Sequence, residues 1–405
     1  MRRLYQHYIG SFQGLSKPVW WLSLITLINR AGSMVIPFLS LYLSEDLSFS
    51  LERIGWIMSA FGLGSILGSW LGGKLTDKIG AYKVMYSSLL LSGLGFILLQ
   101  TLKSFPAVIF GVFLIMVVAD MFRPAVYVAI SAYSKPENRT RSISLVRLAV
   151  NLGFSAGPAL GGLLITLLGY SGLFWIDGFT CIIAGILLLW ILNPKRRPEQ
   201  EIPKEADTAL SPYKDRAFLF MLVGVFLFGF IFLQYFSTVP LYYKQIHQLS
   251  EGSIGLLLAM NGFVLFVLEM PLMKFLEQRT SSTIKNIITG IGLIAASFVI
   301  LNLGNWPGQL VIGMLMMTLG EMITFPLSNA LALQMAQKGK QGSYMALYTI
   351  AFSMGHLFGH NTGMQLVSLK GFDLTWWIMT GLGVVSILFF MLLRAREEKQ
   401  SGVTT

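Results

Sequence analysis

The chain has 405 residues, of which 54% are hydrophobic and only 12% are charged. A soluble fold of this length could not bury so much apolar surface, and the same figures exclude a disordered chain, collagen and a disulfide scaffold. The net charge of +11 would suggest nucleic acid as the partner of a soluble protein. Because the basic residues here lie between long apolar runs, membrane topology explains the charge better, and no nucleic-acid partner is expected.

Twelve apolar runs follow one another along the chain, each near the length of about 20 residues that a transmembrane helix needs. They lie near residues 19–43, 53–73, 83–102, 105–132, 143–168, 170–193, 217–243, 253–275, 286–303, 308–336, 344–369 and 374–394. Several are broken by glycine or proline, which membrane helices tolerate. Residues 1–17 have no apolar stretch after Arg2 and Arg3, so no cleavable signal peptide is expected.

One stretch between the sixth and seventh runs differs in composition. Residues 193–216 are charged and contain prolines, with no apolar run. This composition indicates a linker. The predicted organisation is an N-terminal six-helix half at 1–193, a cytoplasmic linker at 194–216 and a C-terminal six-helix half at 217–405.

Lysine and arginine are distributed unevenly between the two sides of the predicted membrane. With the N-terminus inside, 23 of the 30 basic residues fall in cytoplasmic segments, 4 fall in outer segments and 3 lie within spans. Cytoplasmic loops of membrane proteins carry an excess of basic residues. The bias predicts that both termini and the linker are cytoplasmic, in a multi-pass protein of the cell (inner or plasma) membrane.

The two halves repeat features at a period near 200 residues. The matched positions are Ile54-Gly55 with Ile254-Gly255, Asp120 and Pro124 with Glu321 and Pro326, and Gly153, Gly157 and Gly161 with Gly355, Gly359 and Gly363. Two similar six-helix halves related by an axis along the membrane normal are typical of transporters. The pattern predicts a substrate path between the halves, near the midplane of the membrane.

The connection after the second run contains a spaced motif. It reads GKLTDKIGAYK, with Gly73, Asp77, Lys78, Gly80 and Lys83 at its key positions. Gly73 and Gly80 allow close helix approach and a tight turn, and Asp77 can accept hydrogen bonds at a neighbouring helix N-terminus. This loop resembles the signature loop of the major facilitator superfamily. The resemblance implies a gating role for the loop and a major facilitator fold for nearly the whole chain.

The fifth run contains a second motif, GFSAGPALGG, with Gly153, Gly157, Pro158, Gly161 and Gly162. Glycines four apart form a flat stripe on which another helix packs closely, and Pro158 bends the span. The motif resembles that of the drug:proton antiporter branch of the superfamily, which implies a role in gating and in suppressing leak. Plain small-residue packing is the alternative.

The chain departs from the family pattern at two places. Ala81 and Tyr82 stand where bases are usual, and the arginine that the family has early in the fourth span is absent.

Six ionisable residues lie inside the predicted spans, where such residues are costly and usually functional. They are Arg30, Asp120, Arg123, Arg147, Glu269 and Glu321. A buried carboxylate whose partner changes with conformation can load and release a proton. We therefore rank Glu321 first, Asp120 second and Glu269 third as proton-coupling residues.

The three arginines stay charged and are either partners of these acids or anchors for an anionic substrate group. Asp120 and Arg123 are three residues apart and share a helix face, so they could neutralise each other. Structural salt bridges that lock one gate are the alternative for all six groups.

Further polar residues could line the cavity: Asn29, Gln234, Tyr235, His356 and His360. The two histidines are four apart, but no Glu or Cys lies close in sequence, so no metal site is expected. The chain has no phosphate-binding loop and no nucleophile–base set, so we expect neither an enzyme nor a cofactor.

These patterns predict an all-α membrane protein with twelve transmembrane helices in two six-helix pseudo-repeats. We expect a monomeric, proton-coupled transporter that works by alternating access and exports drug-like or amphipathic small molecules. Proton-linked uptake of an anionic solute or short peptide, and a lipid flippase, are the alternatives.

Overall fold

The structure is a computed structural model that describes residues 10–35, 38–39, 42–192, 211–249, 251–279, 282–304, 306 and 308–400. Within these ranges the regular structure is helical and includes no β-strand. The prediction of an all-α protein is therefore confirmed for the described residues. Much of the predicted linker, residues 194–210, lies outside them.

The α-helices follow the apolar runs. They are α1 (Lys17–Ala31), α2 (Leu51–Ile79), α3 (Ala81–Leu99), α4 (Phe105–Asp120), α5 (Phe122–Tyr133), α6 (Arg139–Ile191), α7 (Arg216–Phe232), α8 (Thr238–Gln245), α9 (Glu251–Glu277), α10 (Thr283–Asn302), α11 (Gly308–Met335) and α12 (Gln341–Gln400). Short π- or 3-10-helical turns occupy Tyr42–Asp46, Pro136–Asn138 and Leu233–Phe236.

Two of these helices, α6 and α12, are far longer than a bilayer is thick. Each has a glycine with non-helical backbone between two predicted spans: Gly169 has φ +68° and Gly371 has φ +78°. Glycine adopts positive φ without the steric penalty that other residues meet. The chain therefore changes direction at these two glycines.

Eight helical segments in the described residues are long and apolar enough to cross a membrane, judged by length and composition. They are Ala81–Leu99, Phe105–Tyr133, Leu167–Ile191, Arg216–Gln245, Leu256–Glu277, Thr283–Asn302, Gly308–Met335 and Thr362–Arg396. Large apolar side chains on the surface fit a lipid environment: Trp190, Leu369 and Leu256 are 82%, 76% and 73% exposed. The count of twelve spans and the two-fold repeat stay predictions.

The chain divides into two compact units. The N-unit comprises Gly14–Ala209 together with Ala336–Ala346, and the C-unit comprises Met1–Gln13, Leu210–Met335 and Leu347–Thr405. The first residues of α12 thus belong to the N-unit. The predicted boundaries of the two halves stay a prediction.

Small residues bring helix backbones together inside each unit. In the N-unit, a Cβ added to Gly64 of α2 would lie 2.5 Å from the carbonyl oxygen of Phe113 in α4. In the C-unit, a Cβ added to Gly290 of α10 would lie 3.0 Å from the carbonyl oxygen of Gly320 in α11. Close backbone approach through glycine is typical of membrane helix pairs.

Candidate functional site

An ion pair lies at the junction of α4 and α5 in the N-unit. Arg123 Nε lies 2.9 Å from Asp120 Oδ1. Ser65 of α2 donates its hydroxyl to the other carboxylate oxygen, Asp120 Oδ2. Asp120 is buried, whereas the Arg123 side chain is 35% exposed. The pairing that the three-residue spacing suggests is thus present, and Ser65 completes it.

The other two intramembrane arginines lie near this ion pair. Arg30 of α1 interacts electrostatically with both Arg123 and Asp120. The phenol of Tyr127 interacts with Arg30, Arg123 and Arg147. Arg147 is buried, whereas Arg30 and Tyr127 are half-buried. We call Arg30, Asp120, Arg123, Tyr127 and Arg147 the arginine cluster.

Tyr127 and Ser65 are members of this site that sequence reasoning missed. Tyr127 lies four residues after Arg123 and shares its helix face, so the spacing carried a usable signal. Ser65 had no such signal, because its contact with Asp120 joins two helices.

A seventh ionisable residue inside the predicted spans, Asp177 of α6, binds the backbone that follows the end of α1. Its carboxylate accepts hydrogen bonds from the backbone N–H groups of Met34, at 2.8 Å, and Val35, at 2.9 Å. Asp177 is 1% exposed. Sequence reasoning missed it, although it lies inside the sixth predicted span and satisfies the rule that selected the other six.

Asn29 lies near the C-terminal end of α1, and its side chain contacts α6. Its side-chain amide donates to Cys181 Sγ at 3.3 Å, and both residues are buried. The contact joins α1 to α6, and the expectation that Asn29 lines a cavity stays a prediction.

The glycine stripe of the fifth predicted span faces the end of α1. A Cβ added to Gly153 would lie 2.5 Å from Arg30 Cβ, and one added to Gly161 would lie 2.8 Å from the Phe38 ring. A Cβ on Gly157 would make ordinary contacts, at 3.4 Å from the Ala31 carbonyl oxygen. The side-chain surroundings of Pro158 and Gly162 lie outside the description.

The last turn of α2 makes a specific contact with the start of α12. Asp77 accepts hydrogen bonds from the backbone N–H groups of Gly342 (2.6 Å) and Ser343 (2.9 Å) and from the Ser343 hydroxyl (2.5 Å). Burial raises the pKa of Asp77, and these hydrogen bonds act in the opposite direction. A carboxylate at a helix N-terminus complements the helix dipole.

The glycines and lysines of this motif take different positions. Gly73 packs closely against Gly342. Gly80 has φ +89° and separates α2 from α3. Lys78 and Lys83 are exposed.

The C-unit contains a buried carboxylate of a different kind. Glu321 of α11 is 5% exposed, and its Oε2 accepts a hydrogen bond of 3.0 Å from Asn261 Nδ2 of α9. The same amide group also lies 3.0 Å from Thr318 Oγ1. Asn261 thus gives Glu321 a neutral amide donor from a neighbouring helix. Asn261 was missed by sequence reasoning, because no local spacing links α9 to α11.

Glu269, the third predicted proton-coupling residue, lies in α9 and is fully buried. It precedes Pro271 in the same helix. Its burial shows that it does not reach an aqueous interface in this structure.

Gln234 and Tyr235 bind neighbouring helices. Gln234 donates to the carbonyl oxygen of Gly359 at 2.9 Å, and Tyr235 donates to that of Gly313 at 3.3 Å. Both residues have no exposed surface. Their polar atoms join helices here, and the expectation that they line a cavity stays a prediction.

Aromatic rings form a cluster next to Glu321 in the C-unit. Phe228, Phe232, Phe325 and Phe352 contact one another, with ring centroids 4.8 to 6.5 Å apart. Phe325 lies four residues after Glu321, on the same face of α11. Phe325 and Phe352 are only half-buried.

The predicted histidine pair cannot be placed at the level of side chains, because those of His356 and His360 lie outside the description. Among the described residues, no group of three or more His, Cys, Asp or Glu side chains could hold a metal ion.

Comparison with known proteins places the chain among transporters. The profile of a family described as Major Facilitator Superfamily matches residues 22–360 and 248–405. The uncharacterized MFS-type transporter YqjV of Bacillus subtilis (strain 168) is 26% identical over 404 residues, covering 96% of each chain. The multidrug resistance protein MdtH of Aeromonas salmonicida (strain A449) is 24% identical over 396 residues, covering 95% of this chain and 97% of the relative.

Two further proteins show the same similarity over nearly the full length. A Na(+), Li(+), K(+)/H(+) antiporter of Planococcus maritimus is 21% identical over 407 residues, covering 92% of this chain and 95% of the relative. The crystal structure of a bacterial homologue of the iron transporter ferroportin, in an outward-facing state, has a TM-score of 0.77 at 15% identity. It covers 94% of this chain and 100% of the other. This likeness shows the fold.

Proposed function

The chain belongs to the Major Facilitator Superfamily, and from that premise we propose that it is a proton-coupled secondary transporter. We further propose that it exports drug-like or amphipathic small molecules by alternating access. Its relatives include a multidrug resistance protein and a cation/proton antiporter, which supports both parts of the proposal.

The burial of Glu321 is the observation that supports proton coupling most directly. An ionised carboxylate is costly to bury, so burial favours the protonated form and access to water favours release of the proton. Glu321 is almost fully buried and receives a hydrogen bond from a neutral amide. A change of access during transport would therefore change its protonation. Asp120 is the weaker candidate, because its carboxylate is already paired with Arg123.

The aromatic cluster supports an amphipathic substrate. Aromatic rings offer large apolar contact area with a polarisable face. The half-buried rings of Phe325 and Phe352 present such area, and Phe325 lies four residues after Glu321 in α11. An apolar substrate body could pack there.

The contact of Asp77 with the start of α12 supports a gating role. It consists of three hydrogen bonds to one carboxylate, and such a contact can form in one state and break in another. We propose that it stabilises one state of the alternating-access cycle.

The test is transport by the purified protein in proteoliposomes with an imposed pH gradient. The substrates are fluorescent amphipathic dyes with anionic, neutral and cationic members. Export predicts that a dye moves against the proton flow, and movement with the flow would support uptake instead. The direction of dye movement relative to the proton flow distinguishes export from proton-linked uptake of an anionic solute or short peptide. Movement of a labelled lipid distinguishes lipid flipping from export.

For Glu321 the deciding variant is Glu321→Gln, which keeps the shape of the side chain without its charge. It should abolish proton-driven transport while leaving dye exchange intact. The matched control is Glu137→Gln, because Glu137 is an exposed acid. Driven transport that is unchanged in Glu321→Gln would remove Glu321 from the mechanism.

The proposed topology has both termini and the linker in the cytoplasm of a cell whose inner or plasma membrane holds the protein as a monomer. Since Cys181 is the only cysteine, a Cys181→Ala background allows single-cysteine labelling. Lys103→Cys should react with an impermeant thiol reagent from outside, and Lys78→Cys should not.

A further inference from the structure

Asp177 of α6 is buried at the place where the first predicted span loses its helical geometry. The α1 helix ends at Ala31, and helical backbone resumes at Val35. Asp177 is 1% exposed and lies beside Met34 and Val35, which belong to an apolar cluster with Phe174. A carboxylate is costly to bury in such surroundings unless its charge is stabilised by specific partners.

The hydrogen-bond partners of this carboxylate are neutral. Its two oxygens accept hydrogen bonds from the backbone N–H groups of Met34, at 2.8 Å, and Val35, at 2.9 Å. Among the described residues, no cation pairs with Asp177. Asp120 of the same unit differs, because Arg123 lies 2.9 Å from one of its oxygens. In the described structure, backbone amides therefore take the place that a cation has at Asp120.

Few titratable groups lie on the elements that pack around Asp177. These elements bring three such groups to the region: Cys181 of α6, Arg30 of α1, which interacts with that thiol, and Tyr42 of the π-helical turn. The α3 helix packs against α6 here through Gly93 and Gly178, and residues 89–99 of α3 contain no titratable residue. Thiols, phenols and guanidinium groups ordinarily hold their protons at a higher pH than a carboxylic acid does. Each of the three is thus already protonated when Asp177 takes up a proton.

Protonation changes what the Asp177 side chain can bind. The ionised form offers one acceptor oxygen to each of the two amides, whereas the protonated form turns one oxygen into a hydroxyl group, which is itself a donor. Hydrogen bonds to an ionised acceptor are also roughly twice as strong as those between neutral groups. Uptake of a proton would therefore weaken the hydrogen bonds from Met34 and Val35.

The backbone at the end of α1 packs tightly against α6. A Cβ added to Gly32 would overlap the side chain of Thr180. The Thr180 hydroxyl donates to the carbonyl oxygen of Ile176, at 2.9 Å, within its own helix. The hydrogen bonds that α6 gives to the backbone after α1 thus come from Asp177 rather than from this neighbouring hydroxyl group.

We propose that Asp177 is a second proton-binding site, which binds the backbone after α1 when it is ionised and releases it when it is protonated. The role of this site in transport rests on the proposed proton-coupled function, but proton binding itself needs neither a substrate nor a gradient. The competing explanation is a structural carboxylate that stays ionised, and it predicts no change of the contact with pH.

Hydrogen–deuterium exchange of the purified full-length protein tests the proposal, read by mass spectrometry in the peptide that contains Met34 and Val35. Exchange is measured over a series of pH values and corrected for the intrinsic pH dependence of amide exchange. If opening takes up one proton, protection should fall by up to about 10-fold for each pH unit of acidification. Protection that does not change with pH in the wild-type protein would overturn the proposal without any variant.

The variants assign the response to one residue. Asp177→Asn fixes a neutral side chain and should remove the pH response, with weaker protection at high pH. Asp177→Glu keeps a carboxylate in a different geometry and should shift the pH at which protection falls. The matched control is Glu137→Gln, on an exposed acid of the same unit, which should respond as the wild type does. A response that persists in Asp177→Asn, or that is unshifted in Asp177→Glu, would assign it to another group.

This proposal and proton coupling at Glu321 fail independently. Glu321→Gln should leave the exchange profile of the Met34 and Val35 peptide unchanged even where it abolishes proton-driven transport. Conversely, a profile that is flat with pH beside intact driven transport would overturn the Asp177 site alone.

Discussion

The two units differ in the kinds of ionisable residue that lie inside their predicted spans. In the described residues of the N-unit, three arginines gather near Asp120, and Asp177 binds backbone amides. The buried ionisable groups named above for the C-unit, Glu269 and Glu321, are both acids. The described acids of the N-unit thus bind an arginine or backbone amides, whereas Glu321 of the C-unit accepts a hydrogen bond from a neutral side-chain amide.

The glycine stripes, in contrast, behave alike. Gly153 and Gly161 pack against α1 and the residues after it, and Gly355 and Gly363 pack against α7 and α8. In each unit the stripe faces the first long apolar helix of its half. The two units therefore share a mode of helix packing through glycine but differ in the ionisable residues inside their predicted spans.

The largest effect is expected at Asp177, which binds the backbone that follows α1. The predicted repeat pairs Asp177 with Met379 of the C-unit, which carries no charge. Asp177→Ala leaves the N–H groups of Met34 and Val35 buried without their acceptor. Each orphaned group costs about 1–3 kcal/mol, so we expect a loss of about 2–6 kcal/mol in stability. Thermal unfolding of the purified protein measures it. Asp177→Asn, which retains an acceptor oxygen, is the control, and an unchanged melting temperature in Asp177→Ala would remove the anchoring role.

The second prediction tests the shared packing scheme. A Cβ on Gly355 would lie 2.7 Å from the Phe226 carbonyl oxygen, and one on Gly153 would be similarly close to Arg30 Cβ. Gly355→Ala and Gly153→Ala should each cost about 1–3 kcal/mol through overpacking. Gly157→Ala should cost less, because its new Cβ would make contacts of 3.4 Å or more. Equal melting temperatures for all three variants would argue against stripe packing.

The third prediction compares the two buried acids by removing one neutral donor from each. Asn261→Leu takes the amide from Glu321 and should cost about 1–3 kcal/mol, because a buried acceptor loses a hydrogen-bond donor. Ser65→Ala should cost about 0.5–1.5 kcal/mol, since Asp120 keeps Arg123. The ranking of the two melting temperatures checks the contrast, and a greater loss for Ser65→Ala would reverse it.

The smallest effect is expected at the contact between Asp77 and α12. Asp77→Asn keeps the shape but removes the charge that complements the helix N-terminus. A loss of about 0.5–2 kcal/mol is typical for a capping carboxylate. Stability should therefore change little, while the rate of dye transport changes if the contact gates the cycle. Lys135→Gln, on an exposed base outside the motif, serves as the control, and an unaltered rate in Asp77→Asn would exclude gating.

Much of the fold and part of the site could be predicted from local pattern. The apolar runs predict the helices, because a span must satisfy its own backbone hydrogen bonds within a limited length. The spacing of Asp120 and Arg123 predicts a shared face, because helix geometry brings residues three apart together. The motif at Gly73 and Asp77 identifies the family.

The remaining contacts depend on which helices are neighbours. Asn261 reaches Glu321, and Ser65 reaches Asp120, across pairs of helices that no sequence spacing connects. Gln234 is a further example. Its polar side chain suggested that it lines a cavity, yet in the structure it donates a hydrogen bond to the carbonyl oxygen of Gly359.

The sequence by itself thus determined the membrane class, the family and the identity of six of the seven ionisable residues discussed here that lie inside predicted spans. Those properties follow from composition and short-range periodicity, which act within one helix. Only the tertiary structure decided that Ser65 binds the carboxylate of Asp120 and that Asp177 binds the backbone after α1. Such partnerships arise because packing brings distant segments together, and the energies of burial and hydrogen bonding that select them act across helices.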